Sequence, residues 1–243
     1  MNDIQLERWP STGGGGQRHR PSPEPLPKRA LAALGFVLDA TRRRRSGRMA
    51  LWGLVLALGL TGISLLSYPV VTDFYADRVQ SKLSQEFAEL PAVEGFSKQV
   101  REGGALTRLQ IPKLKVNVIV VEGTSGNALR AGAGHYVGTA LPGAAVGNVA
   151  IAGHRTGFGQ PFRHVDRLRP GDEIHLVTPV GRYIYEVMPP FDGHANPWVT
   201  HAEDVSVIHP TPIPTVTLTT CDPPGTTKRR LIVRARLVGS KPL

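Results

Sequence analysis

Three hydrophobic periods follow one another along the chain. Met49 to Val71 (MALWGLVLALGLTGISLLSYPVV) contains no charged residue. As a helix rising about 1.5 Å per residue, such a run crosses a hydrocarbon layer of roughly 30 Å. Trp52 and Tyr68 fall near its two ends, where amphipathic rings prefer to lie. From Thr72 onward, Tyr75, Val79, Leu83, Phe87 and Leu90 recur every three or four residues. That spacing predicts a helix with one apolar stripe, ending at Pro91. After Gly104 the period falls to two. LTRLQIP, KVNVIVV, HYVGTAL, GNVAIAGH, DEIHLVT, GRYIYEVM, TVTLTTC and RLIVRARLV are short runs rich in Val, Ile, Leu, Thr and Tyr, most of them separated by Gly, Pro or Asn. Each predicts a strand. Ser125 to Ala131 predicts a helical turn or two, and Pro189 to Pro214 a long Pro-rich connection. Eight strands in so short a segment predict a closed barrel or a sandwich, because an open sheet leaves edges to protect.

The segment before the apolar run differs in composition. Met1 to Pro27 contains STGGGGQ and PSPEPLP without any hydrophobic period, which predicts disorder. Ala30 to Ala40 is apolar but too short to span a bilayer. Residues 1–49 hold ten Lys and Arg against four Asp and Glu, so +6 of the formal net charge of +10 precedes or begins the apolar run. A nucleic-acid-binding domain would carry its basic residues on the folded surface. Here they form a tail ending in RRRRSGR (Arg42 to Arg48), and arginines on that side of a span predict a cytoplasmic N-terminus. A cleavable signal peptide is the rival reading. The long preceding region and the want of a clear A-x-A site count against it. The expected organisation is a cytoplasmic basic tail over residues 1–48, an uncleaved transmembrane anchor over 49–71, a helical stem over 72–104 and an extracytoplasmic domain over 105–243. At 243 residues there is room for one medium domain with appendages.

Cys221 is the only cysteine, which excludes an internal disulfide framework and any multi-thiolate zinc site. A lone cysteine is commonly a small buried hydrophobe. This one closes an alternating strand just before Asp-Pro-Pro-Gly, where a side chain has a rigid base and an open top. A thiol attacks only as thiolate, so a nucleophilic role requires a neighbouring imidazole or cation. Of eight histidines, His19 lies in the tail, and His164, His175, His194, His201 and His209 have surface or loop contexts. His135 fits a core hydrogen-bonding role equally well. His154 ends the apolar run NVAIAGH, also at a strand terminus. By pattern alone it is either a partner for Cys221 or a histidine satisfied by loop backbone. Arg230 lies nine residues past Cys221. A hairpin would return it beside the sulfur, but by pattern alone an ordinary solvent-facing charge in a KRR run is the favoured reading.

TLTTC, the Arg of RLIVRA nine positions later and AGHR upstream resemble the sortase family of cysteine transpeptidases. The resemblance extends over roughly Ala105 to Leu237, through LRAGAGHYVGTALPG and IAGHRTGFGQPFRHVDRLRPGD. It implies an all-β fold: an eight-stranded sortase-type β-barrel with short helices, preceded by the transmembrane helix and stem. Cys221 would be the nucleophile, His154 the general acid/base and Arg230 the oxyanion-stabilising cation. GHY and AGHRT most resemble the class E branch, with classes D and F next. That branch implies LAxTG-like sorting signals alongside the LPxTG type, Tyr136 reading the position after the leucine, and Thr220 at the substrate. The implied partners are surface-protein substrates, a peptidoglycan-precursor amine and the membrane, with no nucleic acid. No cofactor is chemically required. Glu203 and Asp204 are the only clustered acids in the long loop, so no metal is expected. An L,D-transpeptidase is disfavoured, because the chain lacks that family's Ser-His-Gly-Cys run. A pilus-assembling sortase and a non-catalytic wall-binding barrel complete the alternatives.

Overall fold

The computed structural model describes residues 35–36, 39, 45–93, 95 and 100–242. The expectations for residues 1–34, and for most of 37–44, lie outside the described residues. The chain divides into two units, residues 1–63 and 64–243.

Helix α1 (Arg45–Glu89) carries the uncharged run and the striped segment without interruption, continuing through Pro69. Among the described residues it is the one helix long and apolar enough to cross a membrane, and no residue of its most apolar window is buried. Within the second unit the stripe has a partner. Val79, Leu83 and Phe87 pack with Ala105, Ile119, Val121 and Ala128 in a small apolar cluster. Gln80 extends the contact by imitating a strand. Its amide nitrogen donates to the Ile119 and Ala131 carbonyls, and its oxygen accepts from the Ile119 N–H. Farther along, Glu86 accepts from the Ala105 N–H at 3.1 Å. Asp73, two residues beyond the uncharged run, accepts from the Gly159 N–H at 3.0 Å.

The strands are β1 (Ala105–Ile111), β2 (Val116–Glu122), β3 (Ala133–His135), β4 (Asn148–Gly153), β5 (Glu173–Thr178), β6 (Gly181–Val187), β7 (Trp198–His201), β8 (Thr215–Asp222) and β9 (Arg229–Pro242). A short helix α2 (Gly126–Ala131) is capped by the Ser125 side chain. The sheet order is β6-β5-β1-β2-β3-β4-β8-β9-β7, and β6 also pairs with β9. That seam closes a ring of eight strands, with β7 added outside it along the first residues of β9. The ring abolishes the edges that an open sheet would expose. Its core includes Leu109, Val120, Ile151, Phe162, Leu176, Tyr185, Leu218 and Val233. Burial pushes the Tyr185 phenol well above its ordinary range, as expected for a hydroxyl that would have to ionise in an apolar interior.

Two strands depart from the expectation. HYVGTAL does not form a strand. Strand β3 ends at His135, and the chain then turns around Gly138, whose φ is +84°. The Thr139 hydroxyl donates to the Tyr136 carbonyl at 2.8 Å, a local bond that competes with the ladder. Conversely, WVTH inside the Pro-rich connection does form a strand, β7, because β9 offers it an unpaired edge.

Candidate active site

Strands β8 and β9 pair antiparallel, and in that register Cys221 lies directly opposite Arg230. The hairpin therefore returns the arginine beside the thiol. Arg230 Nη1 lies 4.0 Å from Cys221 Sγ. The same nitrogen donates to the Thr227 and Arg229 carbonyls at 3.1 Å each, so the guanidinium is aimed by backbone rather than free. On its other side β7 places Thr200 opposite Arg230. Cys221 is half-buried.

Strand β4 runs parallel to β8, with its last paired positions at Ala152 and Thr219. Two residues farther along each strand stand His154 and Cys221, so the parallel register carries the imidazole and the thiol to the same rim. Gly153 makes this possible by having no side chain. A Cβ there would sit 2.7 Å from the Phe162 ring, and Phe162 is fully buried.

His154 is half-buried, with its ring 5.4 Å from Phe158 in a tilted stack. Arg130, at the end of α2, places its guanidinium 6.0 Å from the same Phe158 ring. Burial, and then the charge of Arg130, hold the His154 imidazole below its ordinary pKa. Both act in one direction, since each disfavours a second positive charge. Replacing Arg130 with glutamine removes the smaller cause and leaves the larger. Titrated by NMR, His154 in Arg130→Gln is expected to protonate at a higher pH than in the parent chain, while staying below 6.5. An unchanged or lower midpoint would contradict the assignment.

Tyr136 and Thr219 share a hydroxyl–hydroxyl hydrogen bond of 3.1 Å, which puts the tyrosine across from the position two residues before Cys221. The Thr220 hydroxyl is committed inward, donating to the Gly153 carbonyl at 2.7 Å. His135 is buried. Its Nδ1 faces Glu122 at 2.8 Å and its Nε2 faces the Ala140 carbonyl and the Thr139 hydroxyl. This is the core hydrogen-bonding arrangement that the sequence left open for it. Among the described residues no cluster of His, Cys, Asp and Glu could hold a metal ion.

Two groups beside the site had no signal in the sequence. Arg155 and Asp222, the residues after His154 and Cys221, meet in an ion pair of 2.8 Å. They are far apart in sequence, and only the parallel pairing of β4 with β8 brings them together. Arg130 and Phe158 likewise became visible only in three dimensions.

Residues 109–238 match the family model described as Sortase domain. The chain belongs to the sortase family. It is 35% identical over 184 residues to sortase SrtE1 of Streptomyces coelicolor, an alignment covering 69% of this chain and 49% of that protein. The chain thus spans about half the length of that relative. It is 30% identical over 255 residues to sortase SrtE2 of the same organism, covering 97% of this chain and 92% of the other. Among solved structures, sortase E1 from Streptomyces coelicolor, with a tripeptide in its active site, superposes with a TM-score of 0.51. The identity there is 36%, over 58% of this chain and 91% of that one. The chain is class E-like, and its eight-stranded ring is the sortase barrel. Sortases are cysteine transpeptidases, and Cys221 is this chain's only cysteine.

Proposed function

We propose that this sortase is anchored by α1 with its N-terminus in the cytoplasm and its barrel on the outer face. In this reading it cleaves a C-terminal LAxTG- or LPxTG-like sorting signal between Thr and Gly and transfers the surface protein to a peptidoglycan-precursor amine. The observation that carries the chemistry is the facing pair of Cys221 and Arg230 across β8 and β9, with His154 at the same rim. The arginines preceding the uncharged run support the orientation.

The reaction divides into two acyl transfers. The Cys221 thiolate attacks the Thr–Gly carbonyl carbon, forming an S–C bond and an oxyanion. Arg230 donates to that oxygen, a stabilisation realised only as the charge develops. His154 gives a proton to the departing glycine nitrogen as the C–N bond breaks, leaving a thioester. The acceptor amine then attacks the thioester carbonyl, His154 takes the proton it releases, and the thiolate departs as the new amide forms. Tyr136 supplies the surface that reads the residue after leucine. Thr220, whose hydroxyl is occupied by Gly153, serves the substrate through its backbone. Tethering by α1 keeps enzyme, substrate and lipid-linked acceptor in one plane, which raises their effective concentration.

The test uses the full chain in detergent or lipid nanodiscs, with LAxTG and LPxTG peptides and an amine acceptor. A peptidyl adduct on Cys221 by mass spectrometry, resolved to a new amide when the amine is added, is the expected result. Failure of both peptides to acylate Cys221 would overturn the motif assignments. A thiol that also resists alkylating reagents would favour a barrel that only binds.

A further inference from the structure

The ladder between β4 and β8 stops short of the residues that matter. Its last paired positions are Ala152 and Thr219, so backbone pairing with β8 stops before His154. Side chains continue the rungs where the backbone stops. The Thr220 hydroxyl reaches the Gly153 carbonyl at 2.7 Å. Two residues farther, Arg155 Nη1 donates to Asp222 Oδ1 at 2.8 Å and to the Cys221 carbonyl at 3.3 Å. The other Asp222 oxygen accepts from Arg229 Nη2 at 2.7 Å, and Asp222 faces Arg229 in the β8–β9 register.

The arrangement repeats the site one residue over. Arg155 follows His154, Asp222 follows Cys221, and Arg229 precedes Arg230. Successive side chains on a strand point to opposite faces. The thiol and its guanidinium therefore occupy one face of the β8–β9 pair, and the Asp222–Arg229 ion pair occupies the other. The Arg155 side chain is 8% exposed and that of Asp222 14%, while Arg229 is 54% exposed. Arg155 is also within 3.4 Å of Asp166, and its Nε has no partner. A planar guanidinium held at both Nη atoms has little freedom to slide.

We propose that Arg155, Asp222 and Arg229 form a positioning clamp that sets the spacing and register of His154, Cys221 and Arg230, an inference that rests on the catalytic reading above. None of the three touches the reacting atoms. They act through the strands that carry the residues which do. Loss of the clamp lets the end of β4 shift relative to β8, and a displacement on the order of 1 Å between reacting groups costs about a hundredfold in rate.

Asp222→Asn keeps the shape and removes the charge shared by the two arginines. Arg155→Lys keeps a cation but loses the fork that reaches both Asp222 and the Cys221 carbonyl. In the full chain, each variant is expected to lower kcat about tenfold to hundredfold with KM changed by less than about twofold. Arg155→Lys, which conserves the charge near the thiol, is also expected to shift the pH profile for alkylation of Cys221 by iodoacetamide, a readout that a merely stabilising ion pair would leave in place. Asp222→Asn is judged by kcat, because its lost charge alone moves that profile. Thermal unfolding establishes that each variant is folded. Folded variants with parental kcat, together with a superimposable alkylation profile for Arg155→Lys, would overturn the clamp. If Asp222→Asn does not fold, Arg155→Lys decides by both criteria. The alkylation profile needs no sorting peptide. A parent chain that processes neither peptide therefore defeats the motif assignments alone, while the profile still decides whether the clamp exists.

Discussion

Replacing Cys221 with alanine is expected to abolish acyl-enzyme formation and to lower transpeptidation by at least about 10⁴-fold, the scale on which loss of a nucleophile registers in hydrolases of comparable logic. No second thiol can substitute, because the chain has one cysteine. Nor does the loss have a structural explanation. The side chain is small and half-buried, and removing one sulfur at such a place costs about 1 kcal/mol of stability. Its neighbours are held by other means: Arg230 by the Thr227 and Arg229 carbonyls, and Thr220 by Gly153. Mass spectrometry after incubation with a sorting peptide should show the adduct on the parent and none on Cys221→Ala, with nearly coincident unfolding curves. Turnover retained by the alanine variant would end the account of covalent catalysis.

The second large effect concerns the proton. His154→Ala is expected to reduce kcat by roughly 10²–10⁴-fold, the contribution of a positioned general acid, with little change in KM. The glycine amine cannot leave as an anion, so the step that loses its acid is the collapse of the tetrahedral intermediate. Burial and Arg130 hold the imidazole below its ordinary pKa. At neutral pH the neutral ring therefore predominates and the protonated acid is the minor form. Lowering the pH toward the imidazole's own pKa populates that form. The parent's rate–pH profile should contain a break belonging to His154, displaced to the acid side of 6.5, and His154→Ala should lack it. A profile identical in parent and variant would assign the proton to another group.

The sequence made the β8–β9 half of this site readable and left the β4 half obscure. Cys221 and Arg230 are nine residues apart around a Pro-Gly turn, so a hairpin register could be inferred from local pattern. His154 meets Cys221 through a parallel pairing of strands distant in the chain, which alternation cannot encode. Its place at the end of an apolar run made it a candidate, and the resemblance to sortases, not the periodicity, paired it with the thiol. Arg155 and Asp222 were hidden for the same reason. The misread HYVGTAL shows the converse error. Its β-rich composition was overridden by a glycine at positive φ and by the Thr139 hydroxyl bond, both local and both stronger than propensity. Strand β7 went unseen because its four residues pair only with a distant edge. The stripe on α1 was legible as amphipathic, but its partner, the β1–β2–α2 cluster, was not.

Strand β9 has a consequence for how the molecule comes into being. It is fourteen residues long, and it closes the seam with β6 while carrying Arg230 to the thiol. Until those residues join the sheet, a growing polypeptide owns a sulfur but no cation to meet an oxyanion. The β8 pairing is a local hairpin through Arg229–Arg236, whereas the β6 seam, made by Ala235–Pro242, joins strands far apart in sequence and forms slowly. Under the proposed mechanism the cation thus reaches the sulfur with the hairpin, and closing the ring fixes a pair already assembled.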